Sequence, residues 1–229
     1  MSTKYAYLGP AGTFTEAALR KVSAPADELI AYANVTATLD AIRNGECEKA
    51  LVPIENSVEG VVARTLDELA IGNPLVITGE ITLPVEFSLM TLAGTDPKNI
   101  KSIATHPHAE SQCRTYIARN YPNAAIIETS STAAAAKGLL KREYEAAIAS
   151  SIAAKNYDLS IIAKDIGDNK SAVTRFVMVE KPGKIPSPTG KDRTSLAVFI
   201  AIDHAGALLE ILNVFANNQV NLTFIQSRP

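Results

Sequence analysis

Apolar and polar positions alternate from Lys4 to Leu8 and then meet Gly9-Pro10, which predicts a short strand closed by a tight turn. A helix is expected from about 15 to 21, opened by the capping-box spacing Thr13-x-x-Glu16. The same alternation of patterns repeats along the chain. Strands are expected at 29–33 and 49–54, with a helix at 36–44 stopped by Gly45 and another at 61–69 capped by Asn56 or Ser57. The β-formers between Leu75 and Leu92 predict two extended segments, divided at Gly79 or Pro84. Further strands are expected at 100–105, 124–128, 146–149, 159–163 and 174–179. Helices are expected at 111–120, at 131–140 and from 151 to about 157.

A strand, a Ser/Thr/Asn turn and a helix form the recurring unit, which predicts an α/β protein with mostly parallel sheets covered by helices. The unit occurs in two groups, so the simplest arrangement is two lobes, about 1–75 plus 165–180 and 80–160, within a first domain of 1–180. Residues 181–192 hold three prolines and two glycines and read as a linker. Residues 193–229 read as strand (194–202), amphipathic helix (206–217, with Leu208, Leu209, Leu212 and Phe215 inward) and strand (220–225). These 37 residues are too few for an independent core, so the expectation is either that the chain ends inside a domain or that this segment pairs with another copy.

Composition narrows the function. With 22 basic and 24 acidic residues and no Lys/Arg run, nucleic acid and anionic membrane are poor partners. Cys47 and Cys113 belong to no metal-ligating cluster, so no metal or disulfide framework is expected. Neither a signal-peptide pattern nor a long apolar run occurs, which gives a cytoplasmic expectation and no membrane span.

Three turns carry candidate chemistry: Gly9–Thr15, Pro53–Gly60 and the start of Val173–Phe176. Turns rich in hydroxyls, amides and Gly present backbone N–H groups to an anion. The first has neither P-loop nor dinucleotide spacing. Asn56 and Ser57 read either as helix caps or as donors to a substrate oxygen. Ser130, Ser131 and Thr132 are most simply caps. Alternation puts Thr174 and Phe176 on one strand face and Arg175 on the other. Arg175 is therefore either an organising ion-pair partner or, on an irregular strand, a carboxylate clamp.

Together Gly9-Pro-Ala-Gly-Thr-Phe-Thr15, Pro53-Ile-Glu-Asn-Ser57 with Gly60, His106-Pro107 with Gln112-Cys113, and Thr174-Arg-Phe176 resemble the prephenate dehydratase family over about residues 4–180. The tail, with Gly206-Ala207-Leu208 and Gln226-Ser227-Arg228-Pro229, resembles the start of an ACT regulatory domain, with Gln226 where that family has Glu. The resemblance implies a two-lobed fold like the periplasmic binding proteins, followed by a partial ferredoxin-like α+β domain. It implies conversion of prephenate to phenylpyruvate, water and CO2 without a cofactor, feedback by phenylalanine, and a dimer or tetramer. Carried over by position, Thr174 and Glu55 are the catalytic candidates. Thr13, Asn56, Ser57, Thr105, Gln112, Arg175 and Phe176 are the substrate-binding candidates, and Gly206, Ala207, Leu208, Ser227 and Arg228 the effector-binding ones. Arogenate dehydratase, which shares these motifs, and a non-catalytic carboxylate sensor of the same fold are the alternatives.

Overall fold

The computed structural model describes residues 2–183 and 187–227. The chain divides into two compact units, Met1–Ser187 and Pro188–Pro229.

The first unit opens with β1 (Lys4–Leu8), α1 (Phe14–Leu19), β2 (Glu28–Tyr32), α2 (Val35–Asn44), β3 (Lys49–Asn56), β4 (Gly60–Val61), α3 (Ala63–Ala70) and β5 (Val76–Pro84). Local chemistry sets several of these boundaries. Asn34 Oδ1 accepts from Ala37 N at 2.8 Å to start α2, and Gly45 ends it at φ 79°, where only a residue without Cβ is at ease. By contrast, α3 starts at Val62 with no side-chain cap, and β4 separates it from Asn56 and Ser57. The expected capping role of those two residues is therefore not realised.

The chain then crosses at Val85-Glu86 and builds β6 (Phe87–Thr91), β7 (Ser102–Thr105), α4 (Pro107–Gln112), α5 (Arg114–Asn120), β8 (Ala125–Glu128), α6 (Thr132–Gly138), β9 (Ala146–Ser150), α7 (Ser151–Asn156) and β10 (Ser160–Ala163). It returns with β11 (Val173–Glu180). The helix expected over 111–120 is two helices that meet at Cys113, where backbone φ −119° and ψ 12° break the ladder.

Each lobe holds one sheet. The first has the order β2-β1-β3-β11-β5, with β4 beside β3, and the second β10-β6-β9-β7-β8. Neither is mostly parallel, contrary to the sequence expectation. β1 lies parallel to β2 and β3, and β7 to β8 and β9, whereas β11 runs antiparallel to β3 and β5, and β6 to β9 and β10. The mixture follows from the path: β11 enters the first sheet from the other lobe and takes the opposite direction. β5 belongs to the first sheet, so that lobe extends to Pro84. The two crossing segments touch, since Val85 N donates to Ala172 O at 2.8 Å.

Alternation assigns the two faces of each sheet. In the first, Ala6, Ala50, Val52, Val177 and Val179 pack under α2, while Tyr5, Tyr7, Leu51, Phe176 and Met178 pack with Leu19 of α1. In the second, Ala146 and Ile148 face a cluster with Cys113 and Ile117, and Ala147 and Ala149 face Ala135 and Ala136 of α6. The lobes meet at the first turn. Phe14 stacks edge-on against Phe87 with centroids 5.5 Å apart, Ser150 Oγ donates to Gly12 O at 2.7 Å, and Tyr157 Oη donates to Ala11 O at 2.9 Å.

In the second unit α8 (Ala207–Asn217) forms, preceded by Gly206 at φ 98°. The two expected strands do not: 194–202 and 220–225 carry no ladder. A strand needs a neighbour's N–H and C=O groups, and here these segments leave Phe199, Ile202, Phe224 and Ile225 exposed. Leu208 and Leu209, expected inward, are exposed too. Residue 228, one of the effector candidates, lies outside the described residues.

Candidate active site

The site is built where β3 and β11 pair. Thr174 lies opposite Asn56 and Arg175 opposite Glu55. The register then shifts, so that Phe176 faces Pro53 and Ile54 is the extra residue of a bulge on β3. At the ends of the two strands Ser57 makes a reciprocal pair with Val173: its N–H donates to Val173 O at 2.9 Å and its Oγ accepts from Val173 N at 2.9 Å. Asn56 Oδ1 accepts from Val58 N at 2.8 Å and Glu59 N at 3.1 Å, closing the turn toward Gly60. Those two donors fix which way the amide points. Its Nδ2 therefore donates to Thr174 Oγ1, at 2.8 Å. A hydroxyl that accepts from an amide keeps its own proton to give elsewhere. Thr174 is 8% exposed, so that proton is offered in a nearly dry position.

The second lobe faces this turn with α4. His106 caps the helix through Nδ1, which accepts from His108 N at 3.3 Å. Burial first, and then the neighbouring His108, hold the His106 pKa below its ordinary value, which suits an acceptor. Gln112, 9% exposed, donates through Nε2 to His108 O at 3.2 Å and lies 3.5 Å from Glu59 Oε1. Asp168 N donates to Gln112 O at 2.6 Å, which ties the loop before β11 to the same helix.

Asn56, Ser57, Thr174 and Gln112 are thus brought to one place, and the other candidates are not. Arg175 is held between two carboxylates, with Nη1 2.5 Å from Glu55 Oε2 and Nη2 3.0 Å from Glu80 Oε2. Burial opposes its charge, but the hydrogen bonds it donates to Glu80 and Glu55 outweigh that and raise its pKa. It is an organising ion pair, and Glu55, expected in a catalytic role, is its partner. Phe176 is 1% exposed inside the first lobe's core, so it does not line the cleft. Thr105 is fully buried and donates to Ile148 O at 2.9 Å. Thr13 donates to Leu8 O at 3.1 Å and caps α1. The turn around it does cradle an anion, but that anion is internal: Glu16, 2% exposed, accepts from Gly12 N at 2.6 Å, from Arg20 Nε at 2.8 Å and from Asn156 Nδ2 at 2.9 Å.

Glu59 and Glu80 were missed. Glu59 sits in the same sequence motif as Asn56 and was open to notice. Glu80 lies on β5 diagonal to Arg175, a contact that needs the strand pairing to be known.

The prephenate dehydratase family model matches residues 5–184. A prephenate dehydratase of Amycolatopsis methanolica is 43% identical over 228 residues, covering 99% of this chain and 74% of that one. The chain belongs to the prephenate dehydratase family. A crystal structure of prephenate dehydratase from Arthrobacter aurescens in complex with L-Phe is 48% identical, with TM-score 0.93 over 99% of this chain and 75% of that one. A quorum-quenching acylase structure is similar at TM-score 0.80 and 25% identity, over 99% of this chain and 81% of that one. The activity of the family is the decarboxylating dehydration of prephenate to phenylpyruvate, and this chain is such a lyase.

Neither thiol is poised for nucleophilic chemistry. Cys113 is pushed from 9.0 up to about 12, mainly by burial and then by Asp168, and Cys47 is raised mainly by burial. Because the folded value lies above the unfolded one, the stability that Cys113 contributes is fully present below about pH 9 and is lost as pH rises toward about 12. In the folded protein Cys113 should resist iodoacetamide at about pH 8 and react after unfolding in urea. Rapid labelling of the folded chain would contradict this placement.

Proposed function

We propose that Thr174 gives the hydrogen bond, or the proton, that the departing ring hydroxyl of prephenate needs, with Asn56 holding Thr174 in position. In the net reaction the bond from the ring carbon to its carboxylate breaks and CO2 leaves. That electron pair enters the ring, the carbon–hydroxyl bond breaks, and one proton converts hydroxide to water. A proton taken from Thr174 is restored from solvent. Aromatisation drives the sequence, so the difficult step is departure of hydroxide. General acid assistance contributes about 10²–10⁴-fold to such steps.

The observation that carries this reading is the Asn56 Nδ2 to Thr174 Oγ1 bond at 2.8 Å. It makes the hydroxyl an acceptor on one side and a donor on the other. Acyl transfer, the activity named for the 25% identical structure, would instead need Thr174 paired with a base. Its bond to the donor Nδ2 of an amide argues against that. In this reading Ser57 and Gln112 are the donors to the keto and carboxylate oxygens of the side chain. Arogenate differs only in carrying an ammonium for the keto group. No observation favours it as the substrate.

The reading extends to regulation. The Arthrobacter relative was solved with L-Phe, and feedback by phenylalanine fits the ACT-like tail. Ser227 and the start of α8, with Gly206, Ala207 and Leu208, are the candidate contacts, together with Arg228. The apolar surface left open in the second unit supports pairing between copies, as a dimer or a higher assembly. Among the described residues no helix is long and apolar enough to cross a membrane. The location read for this biosynthetic enzyme is the cytoplasm.

Phenylpyruvate formation from prephenate tests both points. Thr174→Ala should lower kcat by about two decades or more with little change in KM, and Thr174→Ser should restore most of it. Near-normal kcat in the alanine variant would remove Thr174 from this role. Added phenylalanine should inhibit the wild-type chain, and turnover indifferent to it would sink the regulatory reading.

A further inference from the structure

Glu59 follows Asn56 by three residues, in the turn that leads to β4. Its backbone N–H is committed to Asn56 Oδ1, but its carboxylate reaches the opposite lobe. Oε1 is 3.5 Å from Gln112 Nε2, and Oε2 is 3.6 Å from His108 Nδ1, both on α4. Gln112 gives one amide proton to His108 O, so the proton facing Glu59 is the one left for a cleft ligand.

Two other carboxylates of the first lobe are held more firmly. Glu16 sits 2.6 Å from Arg20 and Glu55 2.5 Å from Arg175. The contacts of Glu59 are about an ångström longer, although its side chain, 36% exposed, is no more open than that of Glu55 at 37%. A carboxylate thus rests loosely on donors of the far wall, one turn away from the Asn56–Thr174 pair. The substrate read for that pair carries two carboxylates of the same chemistry.

We propose that Glu59 is a displaceable stand-in for a substrate carboxylate. In the unliganded protein it occupies the Gln112 Nε2 donor and lies against the His108 ring. Prephenate displaces it when one of its own carboxylates takes that place, which makes His108 a further contact in the specificity of the site. The proposal rests on the reading that prephenate binds between Thr174 and α4. It implies that Glu59 competes with substrate, so removing it should improve binding, the opposite of what loss of a binding or structural residue does.

Steady-state kinetics with prephenate make the test. Glu59→Ala keeps the backbone N–H that closes the turn, and Glu59→Gln keeps the shape. Both should lower KM by about two- to fivefold, the range of an exposed charged contact. kcat should stay within about twofold of wild type. In a Gln112→Ala background the gain from Glu59→Ala should shrink, because the donor it frees is gone. An unchanged or higher KM in both variants would overturn the proposal. So would a gain that persists undiminished in the Gln112→Ala background, since that reports general repulsion between Glu59 and an anionic substrate. Failure of the Thr174 reading shows separately, as near-normal kcat in Thr174→Ala, and leaves this comparison readable.

Discussion

The architecture depends on one antiparallel pairing, β3 with β11, between segments more than a hundred residues apart. It closes the first sheet after the chain has built an entire second lobe, and it sets Thr174 opposite Asn56. Arg175 is the clamp on that register. A slip of one residue would turn Thr174 to the other face. It would also separate Arg175 from Glu55 and Glu80, leaving a partly buried guanidinium and two carboxylates without their partners. Of the two readings open for Arg175 in the sequence, ion-pair partner or carboxylate clamp, the structure shows the ion pair, and it secures the register that carries Thr174.

The same pairing supports the role proposed for Thr174, a neutral hydroxyl in a demanding elimination. The Asn56 carboxamide has no freedom left, because two backbone N–H groups hold its oxygen. The hydroxyl it addresses accepts on that side and keeps its one proton to give elsewhere. Preorganised donors of this kind cost no rearrangement as charge develops on the leaving oxygen. The lobes add the second wall. Their contact at Gly12, Phe14 and Glu16 brings α4 to the turn that carries Asn56, so residues of distant sequence meet across one cleft.

Much of this was legible in the sequence. Asn34 and Gly45 bound α2 as their chemistry requires, and the strand–turn–helix repeats located most elements of both lobes. The turn residues Asn56, Ser57 and Thr174 came together through the order and spacing of the motifs in the family resemblance, since hydroxyls and amides at strand ends are as readily helix caps. The sheet directions were not legible, because the strand pattern is the same whichever lobe a strand joins. Phe176 and Thr105, carried over as substrate-binding candidates by their place in the family motifs, are buried; a motif position does not say whether a side chain faces core or cleft. The Gly12 turn was read correctly as an anion cradle, yet nothing in the spacing revealed that Glu16 would fill it. The tail strands failed for want of a neighbour, which no local pattern supplies.

The central claim is that Asn56 and Thr174 act as one unit. A double-mutant cycle on kcat for Asn56→Ala, Thr174→Ala and the pair, measured by phenylpyruvate release, tests it most directly. If Asn56 works only by orienting Thr174, the double variant should be little slower than Thr174→Ala alone. Losses that multiply, so that each substitution has its full effect in the presence of the other, would contradict the account.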